Sequence, residues 1–303
     1  MFEMQDIKDK ILELKKQKNA IILAHNYQPD EVQEIADIVG DSFALSKAAK
    51  ETDFNVIIFC GVKFMAETAK ILSPQKCVLL PAPDAGCPMA DMITEKDILR
   101  LKEQHPDAAV VCYVNTSAEV KAVSDICCTS SNAVKVVKAL PQKKIIFVPD
   151  RNLAHYVASF VPEKEIIIFD GHCIVHNNIL VSDVEKARAA VPDALLLVHP
   201  ECPPDVVKLA DFAGSTAQII DFIKNSDKEK FIIGTEQGIL HTLKKNSPEK
   251  KFFMLSPRLL CVNMKKISLE SVYKALLNMQ FEIKLDKNTI NKASLCLEKM
   301  LKI

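Results

Sequence analysis

Cys87, Cys173 and Cys261 recur at intervals of 86 and 88 residues, and a set of polar residues keeps the same beat. His25, Tyr113 and His199 each end or follow a short apolar run, and Tyr27, Asn115 and Glu201 stand two positions further on. Twelve residues after the first member of each pair comes an aspartate (Asp37, Asp125, Asp211), and five beyond that a hydroxyl (Ser42, Ser130, Thr216). Self-similarity at a fixed interval marks a repeated structural unit. Three copies bringing like residues point to a pseudo-threefold arrangement around one central site.

Three thiolates converging on such an axis can hold a 4Fe–4S cluster, whose usual complement is four cysteines. One iron would then be open to substrate oxygen as a Lewis acid. Zinc on the same three thiolates is the metal alternative. The ten cysteines include no C-x-x-C, so this reading rests on periodicity and not on local spacing. Cys60, Cys77 and Cys112 lie in apolar runs and read as small core residues. Cys127, Cys128 and Cys202 lie near the repeated motif and within reach of the site, and Cys296 falls alone on a C-terminal helix. Asp41-Ser42, Thr129-Ser130 and Ser215-Thr216 each precede a helix. Such residues are ordinary N-caps, yet helix N-termini also attract carboxylates and phosphates, and the two uses are compatible.

The elements that must position these residues follow from pattern. Residues 5–18 carry apolar positions at helical spacing. Runs such as Ala20-Ile-Ile-Leu-Ala24 suit strands buried on both faces of a parallel sheet. The order of helix and strand repeats across residues 1–87, 88–173 and 174–261, and residues 262–303 read as two helices without a strand, packed back on the first unit. The expected fold class is therefore α/β: three similar αβα units with short parallel sheets, set with pseudo-threefold symmetry around a central cluster. Ligands in such sheets bind beyond the carboxyl ends of the strands, where His25, Tyr113 and His199 fall.

Composition narrows the class. The 303 residues are 49% hydrophobic and 26% charged, with 39 basic and 39 acidic side chains. That balance argues against a nucleic-acid or acidic-membrane surface. No apolar run approaches the roughly 18 residues of a membrane span, and the charged, amphipathic N-terminus does not read as a signal peptide. A reducing, cytoplasmic setting is expected, in which cysteine means burial, metal or catalysis.

Eight ordered motifs then resemble one family, quinolinate synthase: Ile22-Leu-Ala-His-Asn-Tyr-Gln28, Gly40-Asp-Ser42, Cys87-Pro-Met-Ala90, Tyr113-Val-Asn115, Gly171-His-Cys173, His199-Pro-Glu-Cys202, Gly234-Thr-Glu236 and Cys261-Val-Asn-Met-Lys265. The resemblance implies condensation of iminoaspartate with dihydroxyacetone phosphate, losing phosphate and two waters to give quinolinate for NAD synthesis. It implies a 4Fe–4S cluster on Cys87, Cys173 and Cys261 with one open iron. It carries substrate contacts onto His25, Ser42, Tyr113, Asn115, Ser130, His199, Glu201 and Thr216, with Tyr27, Asp41 and Ser215 beside them. Acid–base work falls to His199, Glu201, Tyr27 and Tyr113. Functional coupling to an enzyme that produces iminoaspartate fits the same picture. Alternatives are a 4Fe–4S hydro-lyase on a small hydroxy acid and a non-enzymatic iron–sulfur sensor. The chain departs from the family in carrying Ser131 where many relatives have alanine and in doubling Cys127-Cys128. It also lacks a C-terminal C-x-x-C-x-x-C, so thiol regulation at Cys296 is not expected.

Overall fold

A computed structural model of the protein describes residues 2–303, with side chains described from Gln5 onward. Its strands form three separate four-stranded sheets. The first contains β1 (Ala20–His25), β2 (Ile38–Gly40), β3 (Val56–Cys60) and β4 (Cys77–Leu79), in spatial order β2-β1-β3-β4. The second contains β5 (Ala109–Tyr113), β6 (Ile126–Cys128), β7 (Lys144–Val148) and β8 (Glu165–Ile168), ordered β6-β5-β7-β8. The third contains β9 (Leu195–Val198), β10 (Phe212–Ala213), β11 (Lys230–Gly234) and β12 (Lys251–Met254), ordered β10-β9-β11-β12. Every pairing in the three sheets is parallel.

A helix precedes each strand. Around the first sheet these are α1 (Phe2–Gln17), α2 (Asp30–Ile35), α3 (Ser42–Glu51) and α4 (Lys63–Leu72). Around the second they are α5 (Glu95–Gln104), α6 (Ala118–Val123), α7 (Ala133–Ala139) and α8 (Arg151–Ala158). Around the third they are α9 (Val181–Ala190), α10 (Pro204–Lys208), α11 (Thr216–Asn225) and α12 (Ile239–Asn246). Two further helices, α13 (Leu269–Asn278) and α14 (Lys287–Leu301), end the chain. The fold is thus α/β, with one helix–strand order used three times. Every residue of β1, β3 and β5 is buried, which explains why these strands read as continuous apolar runs.

The periodic aspartates hold each sheet together. Asp37 accepts from the Ile22 amide at 2.8 Å and donates its own amide to the Ile22 carbonyl at 2.9 Å. Asp125 does the same with Val110, and Asp211 with Leu196. Each also pairs with a base from the helix that opens its unit: Lys15 on α1, Lys102 on α5 and Arg188 on α9. The most regular feature of the repeat is therefore structural, joining the central strand to the edge strand that follows it.

The C-terminal segment differs from expectation in two ways. α13 lies against α1, but α14 packs on α6, β6 and α4, so it bridges toward the second sheet. Nor is the segment free of extended chain: Leu80 donates to the Phe281 carbonyl and Ile283 to the Val78 carbonyl. This short antiparallel contact covers β4, an edge that would otherwise present unpaired backbone groups. The first two sheets and both terminal helices share one apolar core, while the third sheet has its own apolar clusters. Units of under ninety residues bury a smaller share of their surface than larger domains do, and the shared core adds to that burial for the first two.

Candidate active site

The carboxyl ends of all three sheets face one pocket, lined by His25, Tyr27, Asp41, Ser42, Tyr113, Asn115, Ser130, His199, Glu201, Thr216 and all three periodic cysteines. Of the residues expected at the site, only Ser215 lies behind the wall, where it is fully buried. The position is set by topology. The chain leaves β1 toward β2 on one side and returns to β3 on the other, so the ends of β1 and β3 diverge into a crevice, and the other two sheets do likewise.

The two histidines are held alike. The Tyr27 amide donates to His25 Nδ1 at 3.2 Å, and the Glu201 amide to His199 Nδ1 at 3.3 Å. An accepting Nδ1 leaves the proton on Nε2, and His199 Nε2 stands 3.2 Å from Ser130 Oγ. Burial lowers both imidazoles to about 3, so they are neutral near pH 7. Burial alone would raise the Glu201 carboxyl. Neighbouring His199 and the hydrogen bonds from His176 and Tyr113 outweigh it and hold the carboxyl below its ordinary range. With His199 neutral, the hydrogen bonds from His176 and Tyr113 carry most of this effect.

An ionised Glu201 orders a chain of hydrogen bonds. His176 Nδ1 is 2.7 Å from the Glu201 carboxylate and must donate to it. His176 Nε2 then accepts from Thr235 Oγ1 at 3.0 Å. Having spent its proton there, Thr235 accepts from Tyr27 Oη at 2.6 Å, and Tyr27 in turn accepts from Thr216 Oγ1 at 2.7 Å. Burial raises the Tyr27 and Tyr113 phenols well above their usual value, which keeps them as donors. The chain runs from the start of α11 to Glu201 and joins residues of the first and third sheets.

At the helix starts, Asp41 caps α3 by accepting from Ala44 N, and Ser215 caps α11 by accepting from Gln218 N. The second unit departs from this pattern. A turn over Ser130–Asn132 intervenes, α7 begins at Ala133, and Asn132 occupies the cap position without a side-chain cap bond. That turn puts Ser131 at the junction of the units, 2.7 Å from Asp41 Oδ2 and 2.9 Å from Ser215 Oγ. The Asn115 amide oxygen is buried beside the pocket without a hydrogen-bond partner, an orphan that a ligand's donor would satisfy.

Cys87, Cys173 and Cys261 each come from the loop after their sheet's last strand, and among the described residues no fourth cysteine lines the pocket. Burial pushes the Cys87 thiol up to about 12 and raises the other two, so binding metal there must release protons. Two of the three loops are anchored by carboxylates. Asp150 accepts from the Cys173 amide at 3.0 Å and the Leu153 amide at 2.7 Å. Glu236 accepts from the Cys261 amide at 3.1 Å and from the Lys265 ammonium. Val62 takes the corresponding place in the first unit, at the same intervals of 88 and 86 residues. Gly171 lets the Cys173 loop press against Pro149, since a Cβ there would lie 2.5 Å from its carbonyl oxygen. This donor set suits a cluster on three thiolates.

Other cysteines are not where expected. Cys127 and Cys128 are fully buried and line no part of the pocket, and Cys202 is buried with its thiol turned to the Gly234 carbonyl. Cys296 is not alone but meets Cys112 and Cys127 in a buried group able to share a metal. Among site residues not expected from sequence, Asp150 and Glu236 follow the periodic beat and were findable. His176 matches no residue of its kind in the other units and could be placed only in three dimensions.

The family model described as "Quinolinate synthetase A protein" matches residues 9–302. A quinolinate synthase of Caldicellulosiruptor saccharolyticus is 60% identical over 301 residues, covering 99% of each chain. One from Alkaliphilus metalliredigens is 60% identical over 295 residues, 97% of each chain. One from Clostridium perfringens strain SM101 is 52% identical over 298 residues, 98% of this chain and 99% of its own. With collinear similarity of this extent and a pocket built from all three sheets, the chain belongs to the quinolinate synthase family of enzymes.

Proposed function

We propose that the chain condenses iminoaspartate with dihydroxyacetone phosphate to quinolinate, releasing phosphate and two waters, as a cytoplasmic step in NAD biosynthesis. The observation that carries this reading is the meeting of Cys87, Cys173 and Cys261, one from each sheet, in a pocket lined by His25, Tyr113 and His199. Those three thiolates would hold the 4Fe–4S cluster. Bound there, it supplies an open iron able to polarise a carboxylate or a departing hydroxyl. Because the proposed reaction consumes iminoaspartate, functional coupling to an enzyme that produces it is part of the proposal.

The chain's own residues supply the rest. The starts of α3 and α11, with Ser42 and Thr216, receive carboxylate or phosphate oxygens. Asn115 turns its unpaired amide oxygen to a substrate donor. Neutral His25 and His199 offer Nε2 protons to substrate oxygens without adding charge. Glu201, ionised and fixed by His176 and Tyr113, takes the protons that isomerisation, imine formation and dehydration release. Tyr27 and Tyr113 stay protonated and orient as donors.

The test is anaerobic incubation of cluster-loaded protein with both substrates, measuring quinolinate and inorganic phosphate together. Equal amounts of the two support the proposal. Phosphate without quinolinate, or neither product from protein with a full iron complement, overturns it.

A further inference from the structure

Away from the pocket, three thiols meet in the interior of the second unit. Cys112 on β5 and Cys127 on β6 are register partners in the parallel pair, so their side chains leave the same face of the sheet. Cys296 on α14 packs onto that face. The Sγ–Sγ separations are 3.3 Å for Cys112–Cys127, 3.1 Å for Cys127–Cys296 and 3.8 Å for Cys112–Cys296. None of the three residues is more than 1% exposed.

Cysteine often serves as a small apolar core residue, and that use would not require three sulfurs to face one another. Thiols are weak donors and acceptors, so the grouping gains little from hydrogen bonding. A metal ion accounts for it better. Two thiolates about 2.3 Å from a tetrahedral zinc lie about 3.8 Å apart, so the group needs to open by less than about one ångström to accept one. Ser124 lies close to Cys112; its hydroxyl, which donates to the Val120 carbonyl, would have to turn to supply oxygen for the fourth position.

Charge favours the same class of ion. Lys121 is fully buried, donates to the Thr116 carbonyl, and places its positive charge near Cys112 and Cys127. Three thiolates with a divalent ion leave one negative charge, which this ammonium opposes, although it is shared with the nearby Glu67. A 4Fe–4S cluster needs its thiolates on separate iron corners and is too wide for this spacing.

We propose that Cys112, Cys127 and Cys296 form a second metal site that takes a single soft divalent ion, zinc or cadmium, and fastens α14 to the second sheet. Its chemistry is independent of the pocket. Because the site is buried, the ion should enter while the chain folds. The test is to produce the protein in zinc-supplemented medium, purify it anaerobically, strip loosely bound metal with a chelator, and count zinc, iron and sulfide per chain.

About one zinc per chain beside the cluster iron is expected in the wild type. Cys296→Ala and Cys127→Ala should each lose the zinc and keep iron and sulfide, whereas Cys87→Ala should lose iron and keep zinc. Zinc absent from the wild type, or present undiminished in both Cys296→Ala and Cys127→Ala, overturns the proposal. The wild-type count decides even if a core variant fails to fold.

Discussion

Replacing Glu201 by glutamine removes one negative charge from a buried position while keeping nearly the same volume. The carboxylate sits 2.7 Å from His176 Nδ1 and also touches Tyr113. A glutamine oxygen can accept from one of these donors, but its amide nitrogen would meet the other donor-to-donor. One charge-assisted hydrogen bond is therefore lost, worth roughly 1.5–3 kcal/mol. His176 can answer by moving its proton to Nε2, and this reverses the order of the chain through Thr235, Tyr27 and Thr216. Losing a general acid–base group costs about 10²–10⁴ in rate. Glu201→Gln should thus keep its iron and its affinity for quinolinate within roughly tenfold, while turnover falls at least about a hundredfold. The assay is quinolinate formation under anaerobic conditions, with iron counted on the same sample. A Glu201→Gln enzyme with full iron and near-wild-type turnover would refute the reasoning and leave Glu201 a structural acceptor for its neighbours.

Three further outcomes are expected. Asp150→Ala strands the buried Leu153 amide, at a cost of about 1–3 kcal/mol, and frees the part-buried Cys173 amide, and should lower the melting temperature and speed loss of iron to a chelator; unchanged iron retention would contradict the anchoring role. Ser131→Ala breaks the link between Asp41 and Ser215 and should lower stability by about 1 kcal/mol, with the helix caps on both sides intact; a wild-type denaturation midpoint would show the link to be without weight. The lowered values for His25 and His199 fix a pH dependence. The unfolded chain takes up protons below about 6.5 while the folded one stays neutral down to about 3. Stability is therefore full above pH 6.5 and falls below it, by about 1.4 kcal/mol per pH unit for each histidine. Denaturation at pH 7.5 and 5.5 should show this loss and His25→Gln should reduce it; a flat profile would contradict it.

Much of the site was legible because the repeat puts chemistry at equivalent strand ends. His25, Tyr113 and His199 could be read without knowing how the units pack, since each needs only its own strand and the turn after it. Asp37, Asp125 and Asp211, the most regular members of the repeat, serve the fold and not the site: their regularity comes from a sheet-edge bond made alike three times. Contacts between units were not legible. Nor was His176, which meets Glu201 and Thr235 within the third unit although nothing in its local sequence marks it. Ser131 appeared as a minor substitution, and only the packing of three helix starts makes it a junction. Cys296 looked solitary because the side chains it meets come from β5 and β6, over 160 residues earlier in the chain. Placing α14 against the first unit captured only part of its packing: it touches α4 there, but lies chiefly on α6 and β6 of the second, which no local pattern announces.

The most direct measurement compares wild type with Cys173→Ala, both reconstituted anaerobically, for iron, sulfide and quinolinate formed from iminoaspartate and dihydroxyacetone phosphate. About four irons and four sulfides per chain, with quinolinate matched by released phosphate, are predicted for the wild type, and loss of all of these for Cys173→Ala. A Cys173→Ala protein that retains a full cluster and makes quinolinate would contradict the assignment of the pocket thiols, and a loaded wild type that makes none would contradict the proposed reaction.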